Sequence, residues 1–401
     1  MSTGPVALLT REYPPEVYGG AGVHVEYLVR ELRELTEVQV HCFGAHRSEP
    51  GVTCHPSWSE LSGSAPHLAA LRTVSTDLSM AQRAEGARLV HSHTWYTNFG
   101  GHLAKLLYGV PHVMTSHSLE PLRPWKEEQL GGGYRLSSFC ERTAVENADA
   151  VIAVSGGMKA DVLRTYPAVD PTRVHVIPNG IDLDEFRRTE APELLRKLGV
   201  DPDAAYVIFV GRITRQKGVV HLLDAARLLP KELGLVLCAG EPDTPEIAAE
   251  MNSRVAALRA ERGGVVWIEQ MLPRPQLIAL LSHARAFVCP SVYEPFGIVN
   301  LEAMACGAPV IASAVGGIPE IVVPRVTGEL VPLELTRGGL PGPVDPARFA
   351  QDLASAIASV ATSPERAAAL GRAGRARAEA EFSWRAVAKK TFDLYRALAP
   401  A

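Results

Sequence analysis

Short apolar runs alternate with longer helical patterns along the whole chain of 401 residues, and this alternation limits the fold more than any other feature. Most of the short runs are apolar on both faces, which is typical of strands in a parallel sheet covered by helices on both sides. In the first half the predicted strands are residues 6–10, 38–43, 89–93, 112–116, 150–154 and 174–177. In the second half they are residues 206–210, 235–239, 265–268, 286–289, 310–312 and 329–331. The sequence therefore predicts an α/β protein with two Rossmann-like domains.

A polar, proline-containing stretch at residues 187–192 lies between the two series and predicts the domain boundary. We expect one domain at residues 1–185 and another at residues 186–382, with a hinge near residues 179–188. Ligands of parallel sheets bind beyond the carboxyl ends of the strands. Two such domains facing each other would therefore place their best sites in the cleft between them.

The composition indicates a globular protein that binds neither nucleic acid nor a membrane. Hydrophobic residues make up 47% of the chain and charged residues 21%, and the net charge of -4 offers no basic field for nucleic acid or an anionic membrane. No apolar run reaches membrane-spanning length, and the N-terminus lacks the pattern of a signal peptide. The six cysteines are scattered without a CxxC motif, so we expect reduced thiols and a cytoplasmic location. The sequence leaves a homo-oligomer open.

A basic loop follows the first predicted strand of the second half. Arg212 and Lys217 lie within the segment 211–218, between that strand and a helix that starts near Val219. Two cations beside the N-terminus of a helix suit a phosphate group. The alternative is an ordinary basic loop in contact with solvent.

Two glutamates flank a predicted helix start in the segment 291–310. Glu294 lies in the loop before the helix, and Glu302 lies more than one turn inside it. A diphosphate bound to the amides of Gly297, Ile298 and Val299 would have one carboxylate on each side, one for a sugar and one for a ribose. The alternative is that Glu294 stabilises the helix N-terminus and Glu302 is an exposed surface residue.

Glycines mark the first strand-to-helix turn of the chain, at Gly19 and Gly20. Glycine there allows the backbone to approach a ligand closely, although any tight turn can use it. The spacing differs from GxGxxG, which argues against a dinucleotide-binding dehydrogenase.

Histidines cluster on two predicted strands of the first half. His91 and His93 belong to one strand, and His117 comes directly after the next, on the edge where ligands bind. His117 is placed to bond a sugar hydroxyl or the oxygen of a leaving group, and a structural histidine is an equally good interpretation. No matching cysteine or carboxylate cluster accompanies the HxH spacing, so we predict no metal site.

A loop rich in glycine and proline follows His117. It carries Arg123, Lys126 and Arg135, together with Trp125, whose ring is of the kind that stacks on sugars. Three cations and an aromatic face suit a phosphorylated acceptor sugar. The alternative is ordinary surface charge.

A glycine turn, an Arg–Lys pair and an E-x7-E pair thus occur in this order along the chain. This set resembles the retaining glycosyltransferases of family 4, which have the GT-B fold with two facing Rossmann-like domains. The resemblance implies no metal cofactor, and it implies that the last helix, residues 383–401, packs back on the first domain. The catalytic residues it implies are Glu294, His117, Arg212 and Lys217. The donor-binding residues are Gly19, Gly20, Arg212, Lys217, Gly297, Ile298, Val299, Glu302 and, by position, Met271.

Segments 9–24, 91–96, 116–126 and 239–246 are similar to actinobacterial members of this family that make α-glucans. This likeness implies ADP-glucose as the donor. It implies either glucose 1-phosphate or the end of an α-1,4-glucan as the acceptor, and the cluster of Arg123, Trp125, Lys126 and Arg135 favours glucose 1-phosphate. Two alternatives remain: a glycosyltransferase with another nucleotide sugar and a small acceptor, and a non-catalytic module that binds nucleotide sugars.

Overall fold

The computed structural model describes residues 4–17, 19–240, 242–336 and 341–399. The chain forms two compact units, Met1–Gly180 with Trp384–Ala401, and Ile181–Ser383. The boundaries expected from the sequence, after residues 185 and 382, lie five residues and one residue from these.

The first unit contains a seven-stranded sheet in the order β3-β2-β1-β4-β5-β6-β7, with every strand pair parallel. Its strands are β1 (Val6–Leu9), β2 (Val38–Phe43), β3 (Val52–His55), β4 (Leu89–His93), β5 (His112–Ser116), β6 (Ala150–Ala153) and β7 (Val174–Val176). Its helices before the second unit are α1 (Gly20–Leu32), α2 (His67–Arg83), α3 (Trp95–Tyr108), α4 (Lys126–Leu130), α5 (Gly133–Asn147) and α6 (Gly156–Thr165).

The second unit contains a six-stranded parallel sheet in the order β10-β9-β8-β11-β12-β13. Its strands are β8 (Tyr206–Arg212), β9 (Gly234–Gly240), β10 (Val265–Ile268), β11 (Ala286–Cys289), β12 (Val310–Ser313) and β13 (Gly328–Val331). Its helices are α7 (Pro192–Lys197), α8 (Val219–Ala226), α9 (Pro245–Glu261), α10 (Arg274–His283), α11 (Ile298–Ala305), α12 (Ile318–Ile321), α13 (Pro346–Ala361) and α14 (Pro364–Glu381).

Both sheets reverse their strand order next to their first strand, between β1 and β4 in one and between β8 and β11 in the other. In open α/β sheets the crevice at such a reversal is where ligands bind. The basic loop after β8 and the Glu294 loop after β11 border this crevice in the second unit. The glycine turn after β1 and the histidines of β4 border it in the first.

Three helices of the second unit begin with a capping residue followed by proline. The side chains of Thr244, Asp345 and Ser363 each accept a hydrogen bond from the backbone amide three residues later, at the starts of α9, α13 and α14. Such a cap stabilises a helix by about 1 kcal/mol, and proline in the first turn needs no amide partner. These starts are therefore determined locally.

The C-terminal helix α15 (Trp384–Leu398) belongs to the first unit. Trp384 stacks on Tyr27 of α1 with ring centroids 5.7 Å apart, and the hydroxyl of Tyr395 hydrogen-bonds to Nδ1 of His91 in β4. Trp384, Val387 and Tyr395 are buried in the same core as β1 and α1. Among the described helices, none has the length and hydrophobicity to cross a membrane.

Asp77 in α2 has a buried carboxyl group. It is fully buried, and a Cβ placed on Gly100 of α3 would lie 2.8 Å from its Oδ1, so glycine is needed there for close helix packing. Burial raises the pKa of Asp77 well above its usual range. The folded state therefore holds a neutral acid where the unfolded chain has a carboxylate, and this difference costs stability as the pH rises above the unfolded pKa.

Replacing Asp77 with asparagine is expected to stabilise the first unit at neutral pH, because asparagine has no charged form to lose on folding. A difference of one between the pKa in the folded protein and in the unfolded protein corresponds to about 1.4 kcal/mol in the free energy of unfolding. Urea unfolding of both proteins at pH 5 and pH 7 tests this, with the exposed Asp393→Asn as the control. If Asp77→Asn increased the free energy of unfolding more at pH 5 than at pH 7, the explanation would be contradicted.

Candidate active site

The second unit brings two loops together beyond the carboxyl ends of β8 and β11. Arg212 is the last residue of β8, and a single turn of 3-10 helix, Arg215–Lys217, follows it. The hydroxyl of Thr214 accepts a hydrogen bond from the amide of Lys217 and so starts this turn. The loop after β11 carries Ser291 and Glu294.

Lys217 and Glu294 form a largely buried ion pair. The Nζ of Lys217 lies 2.6 Å from Oε2 of Glu294, and the hydroxyl of Ser291 donates to the same oxygen at 3.1 Å. Burial is the largest single influence and would lower the pKa of Lys217, but the charge and hydrogen bond of Glu294, together with Cys289, raise it overall. The lysine is therefore charged at neutral pH, beside a carboxylate that is only 7% exposed.

Two glycines, one in the loop after β8 and one in the loop after β12, allow close backbone contacts with the loop after β11. Gly218 has a φ of +61°, and a Cβ on it would lie 2.1 Å from the carbonyl oxygen of Pro290. Gly316 has a φ of +55°, and its Cβ would lie 2.0 Å from the carbonyl oxygen of Glu294. A side chain at either position would push the loops apart. The backbone around Glu294 is thus held in a fixed position, and its carbonyl also accepts a hydrogen bond from the amide of Gly317.

Arg212, the second predicted cation, pairs with a residue that the sequence analysis missed. One of its terminal nitrogens lies 2.8 Å from Oδ1 of Asp243, whose side chain is 5% exposed. Asp243 follows β9, the neighbour of β8, and the carboxyl ends of neighbouring parallel strands meet at one edge. The position of Asp243 directly after a predicted strand was the sequence feature that could have identified it.

Helix α11 presents the amides that the sequence predicted as a diphosphate site. Gly297 precedes its first turn with a φ of +95°, and no side chain in the described part of the chain caps this end. The amides of the first helical turn have no partner within the helix. Residues 297–299 therefore offer N–H groups next to Glu294, and their contact with a diphosphate stays a prediction.

Glu302 lies on α11 and is 7% exposed, so the alternative of an exposed surface glutamate is wrong. Burial raises its pKa to about 7, with Arg274 acting to lower it and Glu185 to raise it. Arg274 itself lies 3.4 Å from a carboxylate oxygen of Glu185. Met271, after β10, is 58% exposed, and its contact with a base stays a prediction.

The first unit brings three histidines together at the carboxyl edge of its sheet. His93 ends β4, His117 follows β5, and His24 reaches them from α1. Nδ1 of His93 lies 3.1 Å from Nε2 of His117, and Nδ1 of His24 lies 2.6 Å from Oδ1 of Asn179. Burial lowers the pKa of His24 to about 4, and it lowers the pKa of His93 and of His117 well below the usual range. All three rings are therefore neutral at pH 7.

The glycine turn at the start of α1 is occupied by a carboxylate. The amide of Gly19 donates to Oε2 of Glu12 at 2.9 Å, while Gly20 is exposed. The close backbone approach occurs at Gly22 instead, where a Cβ would lie 2.6 Å from the same oxygen. A phosphate at this turn would have to displace or protonate Glu12, and donor binding by Gly19 and Gly20 stays a prediction.

The predicted acceptor residues differ in accessibility. Arg135 is exposed, whereas the guanidinium of Arg123 donates to the hydroxyl of Ser118 at 3.1 Å and lies 3.5 Å from Glu120. Trp125 is 3% exposed and Lys126 is 6% exposed. A sugar phosphate that contacts all four side chains would require this loop to rearrange, and their role in binding stays a prediction.

The chain matches two family models, Glycosyltransferase Family 4 over residues 18–185 and Glycosyl transferases group 1 over residues 190–337. It is 56% identical to the α-maltose-1-phosphate synthase of Mycolicibacterium smegmatis over 394 residues, which cover 98% of both chains. The enzyme of the same name from Mycobacterium tuberculosis is 54% identical with the same coverage.

Among solved structures, the sucrose-phosphate synthase from Thermosynechococcus elongatus superposes with a TM-score of 0.81 at 28% identity, covering 98% of this chain and 99% of the other. The family resemblance and the GT-B fold inferred from the sequence are confirmed. The chain belongs to glycosyltransferase family 4, and the relatives that it matches over nearly its whole length are α-maltose-1-phosphate synthases.

Proposed function

We propose that the chain is a retaining α-glucosyltransferase that moves glucose from ADP-glucose to glucose 1-phosphate, forming α-maltose 1-phosphate for the synthesis of glycogen or a related α-glucan. The observation that carries this proposal is the 56% identity, over 98% of both chains, with an enzyme named for that product. Adenine in the donor rests on the likeness of the sequence to α-glucan-forming enzymes.

In this reaction the bond between the anomeric carbon of glucose and the diphosphate breaks, and a bond to a hydroxyl of the acceptor forms on the same face. The proton of the acceptor hydroxyl passes to the departing diphosphate. Lys217, Arg212 and the amides of residues 297–299 would stabilise the negative charge that develops on this leaving group. No metal cofactor is needed, since these groups supply the positive charge.

The ion pair of Lys217 and Glu294 gives both residues a role in this step. Without donor the two charges neutralise each other in a mostly buried position. A bound diphosphate offers Lys217 a second anionic partner, while Glu294 keeps acceptor capacity for hydroxyls of the glucosyl ring. The pair would therefore hold the sugar and its leaving group in a fixed relative orientation, which favours bond cleavage at the anomeric carbon.

An assay of donor and acceptor pairs tests the proposal. We expect ADP-glucose with glucose 1-phosphate to release ADP and to form maltose 1-phosphate at a much higher kcat/KM than ADP-glucose with glycogen. UDP-glucose and GDP-glucose serve as donor controls. Elongation of glycogen without maltose 1-phosphate would overturn the choice of acceptor. Tight donor binding without nucleotide release for any pair would indicate a binding module.

A further inference from the structure

The three histidines at the edge of the first sheet have the spacing of metal ligands. One ring nitrogen from each of His24, His93 and His117 lies within 4.8 Å of those from the other two. Nδ1 of His93 and Nε2 of His117 are 3.1 Å apart. Zinc–nitrogen bonds of about 2.1 Å in a tetrahedral site place two ligand nitrogens about 3.4 Å apart. Small side-chain movements would therefore bring the three rings around one ion.

Two of these rings have a buried nitrogen that lacks a hydrogen-bond partner among the described residues. They are Nε2 of His24 and Nε2 of His93. In the case of His24 the tautomer follows from its neighbour, because the amide oxygen of Asn179 accepts a hydrogen bond from Nδ1. Nε2 of His24 then carries a lone pair. An oxygen that orients one ring nitrogen while the other is left for a ligand is the usual outer contact of a metal-bound histidine.

The rings are also in the required charge state and are open on one side. Burial keeps their pKa values low, so that all three are neutral, which is the form of imidazole that binds metals. His117 is only partly buried, so an ion has a way in from that side. Three histidines with one open position form a common ligand set for zinc.

A hydrogen-bond relay is the competing interpretation, in which His93 simply orients His117. It accounts for the 3.1 Å contact between the two rings. It leaves Nε2 of His24 and Nε2 of His93 unsatisfied, although buried polar atoms are rarely without a partner. A cation bound between the rings would satisfy at least one of them.

We propose that His24, His93 and His117 bind one zinc ion, or a similar divalent transition-metal ion, and that the bound ion inhibits sugar transfer by occupying His117. The inhibition rests on the proposed function and on the role that the family resemblance implies for His117, which is to contact the sugar. The metal site itself does not. It departs from the expectation of no metal site, because nothing in the sequence indicated that helix α1 brings His24 to the HxH strand.

Metal titration of the whole protein tests the site. The protein is freed of any affinity tag and dialysed against a chelator, and zinc binding is followed by calorimetry. Cobalt binding is followed by its visible spectrum, which reports tetrahedral coordination. The main variant is His24→Asn, because the asparagine amide can still donate to Asn179 but has no atom at the position of Nε2. The control is His46→Asn, which changes an exposed histidine.

We expect one ion per chain in the wild type and in His46→Asn, and binding at least about 10-fold weaker in His24→Asn. Asn179→Ala, which removes the outer contact, should weaken binding by about 10- to 100-fold and serves if His24→Asn does not fold. Circular dichroism monitors folding. No stoichiometric binding by the wild type, or equal binding by His24→Asn and the wild type, would overturn the site.

Inhibition is measured as the ratio of ADP release rates with and without zinc. The ratio should fall in the wild type and in His46→Asn as zinc approaches one ion per chain, and it should move back toward one in His24→Asn. Binding without any change in rate would overturn the inhibition and leave the site intact. If no donor supports transfer, the proposed function fails, while the metal titration still decides the site.

Discussion

Replacing Lys217 with methionine is expected to lower kcat for sugar transfer by about 100- to 1000-fold, the usual loss when one charge-stabilising donor is removed from a transition state. Methionine keeps the length of the side chain without its charge. The diphosphate that leaves would then be stabilised by Arg212 and the α11 amides alone. Steady-state rates of ADP release with ADP-glucose and glucose 1-phosphate measure the effect.

The same substitution removes the partner of Glu294, so a loss of activity has to be separated from a loss of stability. A mostly buried carboxylate without its partner should destabilise the second unit by up to about 3 kcal/mol. The double variant Lys217→Met, Glu294→Gln contains neither charge, and we expect it to recover most of this stability but none of the lost kcat. Lys231→Met is the control, since Lys231 is exposed and precedes β9, at the opposite end of the sheet. A kcat within about tenfold of wild type in a folded Lys217→Met protein would refute the leaving-group role.

Periodicity alone predicted most of the fold. All twelve predicted strands are present, because strands buried on both faces read as continuous apolar runs. The missed strand is β3 (Val52–His55), at the edge of the first sheet. It contains Thr53, which is exposed, and Cys54, which is only partly buried, so it has no continuous apolar run that the pattern could reveal.

The site was predicted less completely, because its pairings depend on strand order. Lys217 and Glu294 were each predicted for the donor, but their direct contact requires β8 to lie beside β11. The pairing of Arg212 with Asp243 likewise requires β9 on the other side of β8. His24 was missed for a related reason, since only the packing of α1 on the sheet brings it near His93. Local patterns predict which edge a residue occupies, and the tertiary structure decides which residue it meets there.

Replacing Glu302 is expected to have the second large effect, which is on donor affinity and not on turnover. If Glu302 anchors the ribose, its carboxylate accepts hydrogen bonds from the ribose hydroxyl groups. Each hydrogen bond to a charged acceptor contributes about 1.5–3 kcal/mol to binding. We therefore expect Glu302→Gln to raise the KM for ADP-glucose by about 10- to 100-fold, with kcat changed by less than about threefold. The exposed Glu365→Gln on α14 is the control.

The pH dependence of donor KM separates this role from a merely structural one. Burial raises the pKa of Glu302 to about 7, against the opposing effect of Arg274, so half of the donor-free enzyme carries the neutral acid at that pH. Only the ionised carboxylate, and not the neutral acid, accepts hydrogen bonds from two hydroxyl groups at once. Donor affinity should therefore be gained as the pH rises through 7 and lost as it falls, and KM should rise by about tenfold between pH 8 and pH 6 in the wild type. Glutamine does not titrate, so the KM of Glu302→Gln should be flat over the same range. A variant that keeps the wild-type slope, or that loses more in kcat than in KM, would place Glu302 at the reacting sugar and not at the ribose.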